Sequence, residues 1–196
     1  MKVLLAHGSS DATHATQVVK LANDVSLLLG EQVEACFLSD AQLPAGSEVL
    51  PLFLGAGIHL TQDAPRLAAA SSCTLLPGLP EQSSAIASLV GKSDASATIS
   101  LLYQPEGFEA LQRSLKKQGA IAFLHGEPSL TTVLQQHASD TTAITVQPLL
   151  LFPGRSLARV RRMIADASIP NIRLAPVLCE QSGFAELVAD SFRRTK

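Results

Sequence analysis

The two halves of this chain repeat each other at a spacing of roughly 97 residues, and that duplication limits the choice of folds more than any single motif. Whatever supersecondary unit one half forms, the other must form too. Val3-Leu-Leu-Ala-His-Gly8 lies over Ser100-Leu-Leu-Tyr-Gln-Pro105, and Val49-Leu-Pro-Leu-Phe-Leu54 lies over Val146-Gln-Pro-Leu-Leu-Leu151 at the same offset. Near the ends, Pro77-Gly-Leu-Pro-Glu-Gln-Ser83 lies over Pro176-Val-Leu-Cys-Glu-Gln-Ser182. Between them, Ala35-Cys-Phe-Leu38 lies over Ile121-Ala-Phe-Leu124 at a shorter offset.

Within each half, short apolar runs of strand length alternate with segments of helical period. The runs are Val3 to Ala6, Val33 to Leu38, Val49 to Leu54 and Cys73 to Leu76, then Ile99 to Tyr103, Ala120 to Leu124, Ile144 to Leu151 and Ile172 to Leu174. Helices are expected over Ala12 to Leu29, stopped by Gly30, and over Gly107 to Gln118 and Ser156 to Ala167. Such alternation implies parallel sheets with helical crossovers. The fold class is therefore α/β: two tandem lobes, each a small parallel four-stranded sheet flanked by helices, with a cleft between them. The expected boundaries are 1–93 for the first lobe and 97–196 for a degenerate second copy, joined by the turn-rich Gly91-Lys-Ser-Asp-Ala-Ser96. Only about ten residues, Ser39 to Glu48, separate the second and third strands, which leaves room for at most a turn of helix.

Strands covered on both faces suit a chain that is 46% hydrophobic and 16% charged. Its net charge of -2 creates no global field for polyanions, so nucleic acid is not expected as a partner. Cys36, Cys73 and Cys179 are odd in number and lie in or beside apolar runs, as reduced buried thiols do. No apolar stretch reaches the ~18 residues of a membrane span, so a cytoplasmic, membrane-free setting is expected. Whether the chain is a monomer or a homodimer stays open.

Comparison of the two copies separates what serves the fold from what serves chemistry. His7, at the end of the first strand, falls over Gln104, and His59, past the third, falls over Ser156, while Gly57 keeps its counterpart Gly154. The turn is kept and the imidazole is not. Loops at the carboxyl ends of parallel strands line the ligand crevice, which puts both histidines on one rim of the first lobe. Two imidazoles suit a borderline divalent ion, Co²⁺, Fe²⁺, Ni²⁺ or Zn²⁺, at a site left open to substrate. The competing reading is that each histidine merely bonds its own loop. Ser9 and Ser10, opening the first helix, are candidate holders of a substrate carboxylate rather than nucleophiles, since no G-x-S-x-G elbow is present. Gly55-Ala-Gly-Ile-His-Leu60 lacks the third glycine and the acidic partner of a dinucleotide fingerprint, and no organic cofactor is expected. His14 and His137 fall on helical segments among polar neighbours and are expected to be solvated.

Leu4-Leu-Ala-His-Gly-Ser-Ser-Asp11 resembles the strand and H-G-S-R-D that open the class II chelatases acting on sirohydrochlorin, the cobalt- and iron-inserting enzymes of the CbiX and SirB type. Pro51-Leu-Phe-Leu-Gly-Ala-Gly-Ile-His-Leu-Thr-Gln-Asp-Ala-Pro65 is similar to that family's P-L-F-L-x-x-G-x-H-x-x-x-D-I-P. The resemblance covers essentially the whole chain. It implies a chelatase whose His7 and His59 deliver a divalent ion, Co²⁺ or Fe²⁺, to an anionic tetrapyrrole held between chelatase-like lobes, in cobalamin or siroheme biosynthesis. Basic groups at Arg66, Arg155 and Arg159, with Ser9 and Ser10, would then hold substrate carboxylates. Members of the family often carry a Glu after the second strand, where this chain has Ser39 and then Asp40; Asp40, His125 and Glu127 are the candidates for a third ligand. The alternative function is a non-catalytic carrier of tetrapyrrole or metal.

Overall fold

The computed structural model describes residues 1–8, 12–91, 97–137 and 143–194, so the expected linker lies largely outside the described residues. In the first half, β1 (Lys2–Ala6), β2 (Val33–Phe37), β3 (Glu48–Pro51) and β4 (Thr74–Leu75) form a parallel sheet of order β2-β1-β3-β4. In the second, β5 (Ala97–Leu102), β6 (Ala120–Phe123), β7 (Ile144–Pro148) and β8 (Ile172–Leu174) repeat it as β6-β5-β7-β8. The expected pair of four-stranded α/β lobes is what forms. β3 and β7 end earlier than their apolar runs, at Pro51 and Pro148, because proline has no N–H to give to a ladder.

Seven α-helices lie among the described residues: α1 (Ala12–Leu29), α2 (Ala64–Ala70), α3 (Ser83–Val90), α4 (Glu109–Leu115), α5 (Leu130–Gln136), α6 (Arg155–Ala167) and α7 (Phe184–Arg193). α1 buries Val18, Leu21, Ala22 and Val25, a stripe at i, i+3, i+4 and i+7, and each such Val or Leu contributes about 1.5–3 kcal/mol on leaving water. Gly30 ends it at φ +67°, where a side chain would be strained. The β2 to β3 connection holds no helix. It is pinned instead by Leu43, which fills the core beside Val3, Leu5 and Val49 and donates its backbone N–H to Ser71 Oγ at 2.9 Å. Cys36 is buried, Cys73 and Cys179 are half-buried, and all three are thiols outside any disulfide. No helix among the described residues is long and apolar enough to cross a membrane.

The compact units follow packing rather than the repeat boundary. One unit is Met1–Gln82 together with the chain from Ser182 onward; the other is Ser83–Gln181. The reason lies in two helices. α7 packs on α1 and β3 of the first unit, where Phe184 and Phe192 are fully buried, and α3 packs on α4 of the second. In the first unit Gln82 and Ser191 Oγ are hydrogen-bonded, and Arg193 donates to Leu28 O at 2.9 Å. Each half of the repeat thus gives its last helix to the unit built from the other.

The ladders also correct the alignment of the copies. Pro51 pairs with Leu5 and Pro148 with Leu101, while Leu38 N donates to Ala6 O as Leu124 N does to Leu102 O. Leu5 is therefore equivalent to Leu101, one residue off the sequence match. His7 corresponds to Tyr103, not Gln104, and Ser39 corresponds to His125. The loss of the histidine from the second copy stands.

Candidate metal centre

Strand order β2-β1-β3-β4 puts the switch point of the first sheet between β1 and β3, and a crevice opens there beyond the carboxyl ends of the strands. His7 is the first residue after β1, and His59 stands in the segment after β3. The structure brings them together: their ring centroids lie 4.6 Å apart with planes inclined at 63°. Both line a cavity of about 680 Å³ with Gly8, Ser39, Asp40, Asp63 and Arg66. His7 is exposed and His59 half-buried, so neither ring is sealed from an incoming ion.

Each imidazole has one nitrogen committed. His7 Nδ1 donates to the Gly8 carbonyl at 2.6 Å, and His59 Nδ1 donates to Asp63 Oδ2 at 2.7 Å. A carbonyl and a carboxylate only accept, so in the neutral rings the proton sits on Nδ1 and the Nε2 lone pair is left for a metal. The distances suit one ion. Bound at about 2.1 Å from each Nε2, it would lie about 3.2 Å from each ring centroid. Centroids 4.6 Å apart are close enough for both rings to reach one ion.

His59 and Asp63 meet because they bound a single π-helical turn, His59–Asp63, in which Ala64 N–H reaches back to His59 O. Pro65, in the first turn of α2, brings no N–H of its own and suits a new helix start there. Asp63 also lies 3.6 Å from the Arg66 guanidinium, which is 82% exposed and remains largely solvated. Phe53 backs the site, with its ring 6.0 Å from that of His59. Asp63 falls inside the second family-like motif but is not among the site residues expected from sequence. The signal was its i, i+4 spacing from His59.

The other expected site residues divide. Asp40 lines the cavity, but its Oδ2 accepts the Phe37 N–H at 2.8 Å and so closes the turn after β2. Arg66 reaches the rim. His125, Glu127, Arg155 and Arg159 belong to the second unit. There Glu127 Oε2 accepts the Ser129 N–H at 2.8 Å, just before α5. Ser9 and Ser10 lie outside the described residues. Among the described residues, no group of three His, Cys, Asp or Glu stands where it could hold a metal. His14 is not on a solvated face as expected: it is half-buried, its ring 6.4 Å from Phe37.

Comparison with known proteins bears on the fold. Residues 103–195, just under half of the chain and all in its second half, match the CbiX family. No curated protein matches. Among solved structures, SirB from Bacillus subtilis with Fe³⁺ superposes at a TM-score of 0.74, with 15% identity, 99% of this chain covered and 94% of that one. CbiX, described as the terminal enzyme for biosynthesis of siroheme in denitrifying bacteria, gives 0.74 at 17% identity, covering 100% and 99%. The sirohydrochlorin chelatase SirB from Bacillus subtilis subspecies spizizenii in complex with cobalt gives 0.69 at 18%, covering 98% and 92%. The resemblance read from the first-half motifs is thus matched by a family match to the second half and by the fold of the whole.

Proposed function

We propose that this chain, which carries a CbiX-family second half and the SirB and CbiX fold throughout, is a metal chelatase of tetrapyrrole biosynthesis that inserts Co²⁺ or Fe²⁺ into sirohydrochlorin. The observation that carries the reading is the pair of imidazoles 4.6 Å apart at the switch point of the first sheet, each with Nδ1 engaged and Nε2 free. An ion held by two neutral nitrogens is held reversibly, as delivery requires. Insertion exchanges one divalent cation for two pyrrole N–H protons. As the ion passes from His7 and His59 to the ring nitrogens, two imidazoles regain basic lone pairs and can take up those protons at near-neutral pH. Asp63 keeps the His59 ring in the binding tautomer and offsets the positive charge it gains on protonation. Arg66 beside the cavity, Arg155 of the second unit, and Ser9 and Ser10 are assigned to the carboxylates of the substrate.

The test is optical. With Co²⁺ or Fe²⁺, the purified protein is expected to accelerate the absorbance change of sirohydrochlorin metallation over many turnovers, and His7→Ala and His59→Ala are each expected to abolish the acceleration. Unchanged rates in both variants would falsify the assignment. Ser39, where the family often has Glu, favours one competitor, a carrier that binds metal or tetrapyrrole without turnover. A single stoichiometric event with no further product would select it.

A further inference from the structure

The helical segment that follows β3 and the one that follows β7 are copies of each other, yet they differ in length by one residue. They start alike: Thr61 N donates to Gly57 O and Ala158 N to Gly154 O, both at 3.0 Å. They end alike too. Ser72 and Ser168 both stand in the left-handed region at φ 53°, and each donates its N–H to the carbonyl three residues back. Between Gly57 and Ser72 lie fourteen residues, and between Gly154 and Ser168 thirteen. The inward-facing side chains locate the difference. Leu60, Ala64, Ala68 and Ser71 in the first unit answer to Leu157, Val160, Ile164 and Ala167 in the second, all of them buried or half-buried. Thr61, Gln62 and Asp63 therefore stand where the second unit has only Ala158 and Arg159. The extra residue is taken up by the π-helical turn, in which Ala64 N–H reaches back five residues to His59 O.

What the extra residue changes is the place four residues beyond the histidine. In the second unit, where the helix is regular, that place after Ser156 is Val160, which is fully buried. A carboxylate there would lose its water to an apolar core. In the first unit Ala64 takes the core place instead, and the fourth position moves to the outer side of the turn, where Asp63 is half-buried with Oδ2 2.7 Å from His59 Nδ1. From this difference between the copies we infer that the one-residue insertion, represented by exposed Gln62, is a positioning element of the metal centre. It acts through Asp63 and His59, holding against the imidazole a carboxylate that a regular helix would bury or turn aside. The inference rests on the metal site of the chelatase reading and on nothing in its tetrapyrrole.

The experiment deletes Gln62 from the full-length protein and reads Co²⁺ binding by titration calorimetry beside urea denaturation. The deletion keeps Asp63 in the chain but sets it three residues from His59, a shift of roughly 100° around a regular helix. Co²⁺ affinity is expected to fall by about 10–100-fold, as far as in Asp63→Asn, and combining the deletion with Asp63→Asn is expected to cost nothing further. Deleting Thr61 instead is expected to do the same, since the number of residues in the turn decides and not their side chains. The urea midpoint is expected to stay at or above the wild-type value in both, because a regular turn replaces the wide one. Wild-type Co²⁺ affinity in either deletion overturns the inference and leaves the chelatase reading standing. So does a further loss in the combined variant, or a fall in affinity accompanied by a lower midpoint, which would make the wide turn a requirement of the fold. A wild-type protein that binds no Co²⁺ overturns both.

Discussion

One hydrogen bond sets the chemistry of His59: with Nδ1 held by Asp63 at 2.7 Å, only Nε2 is offered to a metal. Asp63→Asn preserves the shape and removes the charge, and it is expected to lower Co²⁺ affinity by about 10–100-fold, read by calorimetry; wild-type affinity would mean that the carboxylate does not orient the ring. The two histidines were legible because a second copy of the motif was available to lack them. Asp63 was not, since a carboxylate four residues from a histidine gains meaning only once a π-helical turn brings the two together. Cys36 carries a different prediction. Burial, then Glu34, Asp40 and Cys73, push its thiol up to about 11. An unfolded thiol ionises near 8.5, so between these values only the unfolded state gains from deprotonation, and stability falls as pH rises through that window. Iodoacetamide at neutral pH is expected to spare Cys36 in the native protein and modify it in denaturant, and the alkaline loss of stability should shrink in Cys36→Ala. Labelling of native Cys36 at the unfolded rate would refute the burial argument.

At the scale of elements, the strands were found and their register was not. All five residues of β1 are buried, so no in–out alternation marks a face, and a shift of one residue leaves the match of apolar doublets as good as before. The ladder decided it, placing Tyr103 over His7. The short β2 to β3 connection could be foreseen from its length, but Leu43 as its anchor depends on contacts across the core. The last helices show the energetics most plainly. Phe192 on α7 is fully buried in the first unit, so Phe192→Ala is expected to cost about 3–5 kcal/mol, measured by urea denaturation. A loss below about 1 kcal/mol, within the range of ordinary surface changes, would show that α7 does not complete that core.

For the whole molecule, the repeat foretold two lobes but not the exchange of their final helices, because a sequence match reports which segments are alike and not which partner each one covers. A piece spanning residues 1–93 has α1 without α7, while its own α3 is the repeat counterpart of α7. It is expected to dimerise by giving each α3 to the α1 of a second copy, which sedimentation velocity would detect; a folded monomer would contradict this. The claim on which the account turns is that two Nε2 atoms grip one divalent ion, and X-ray absorption of the Co²⁺-loaded protein reads it directly. One ion per chain is expected, with two imidazole nitrogens at about 2.1 Å in its shell, one of them lost in His7→Ala and one in His59→Ala. An identical shell in wild type and both variants would place the ion elsewhere and contradict the account.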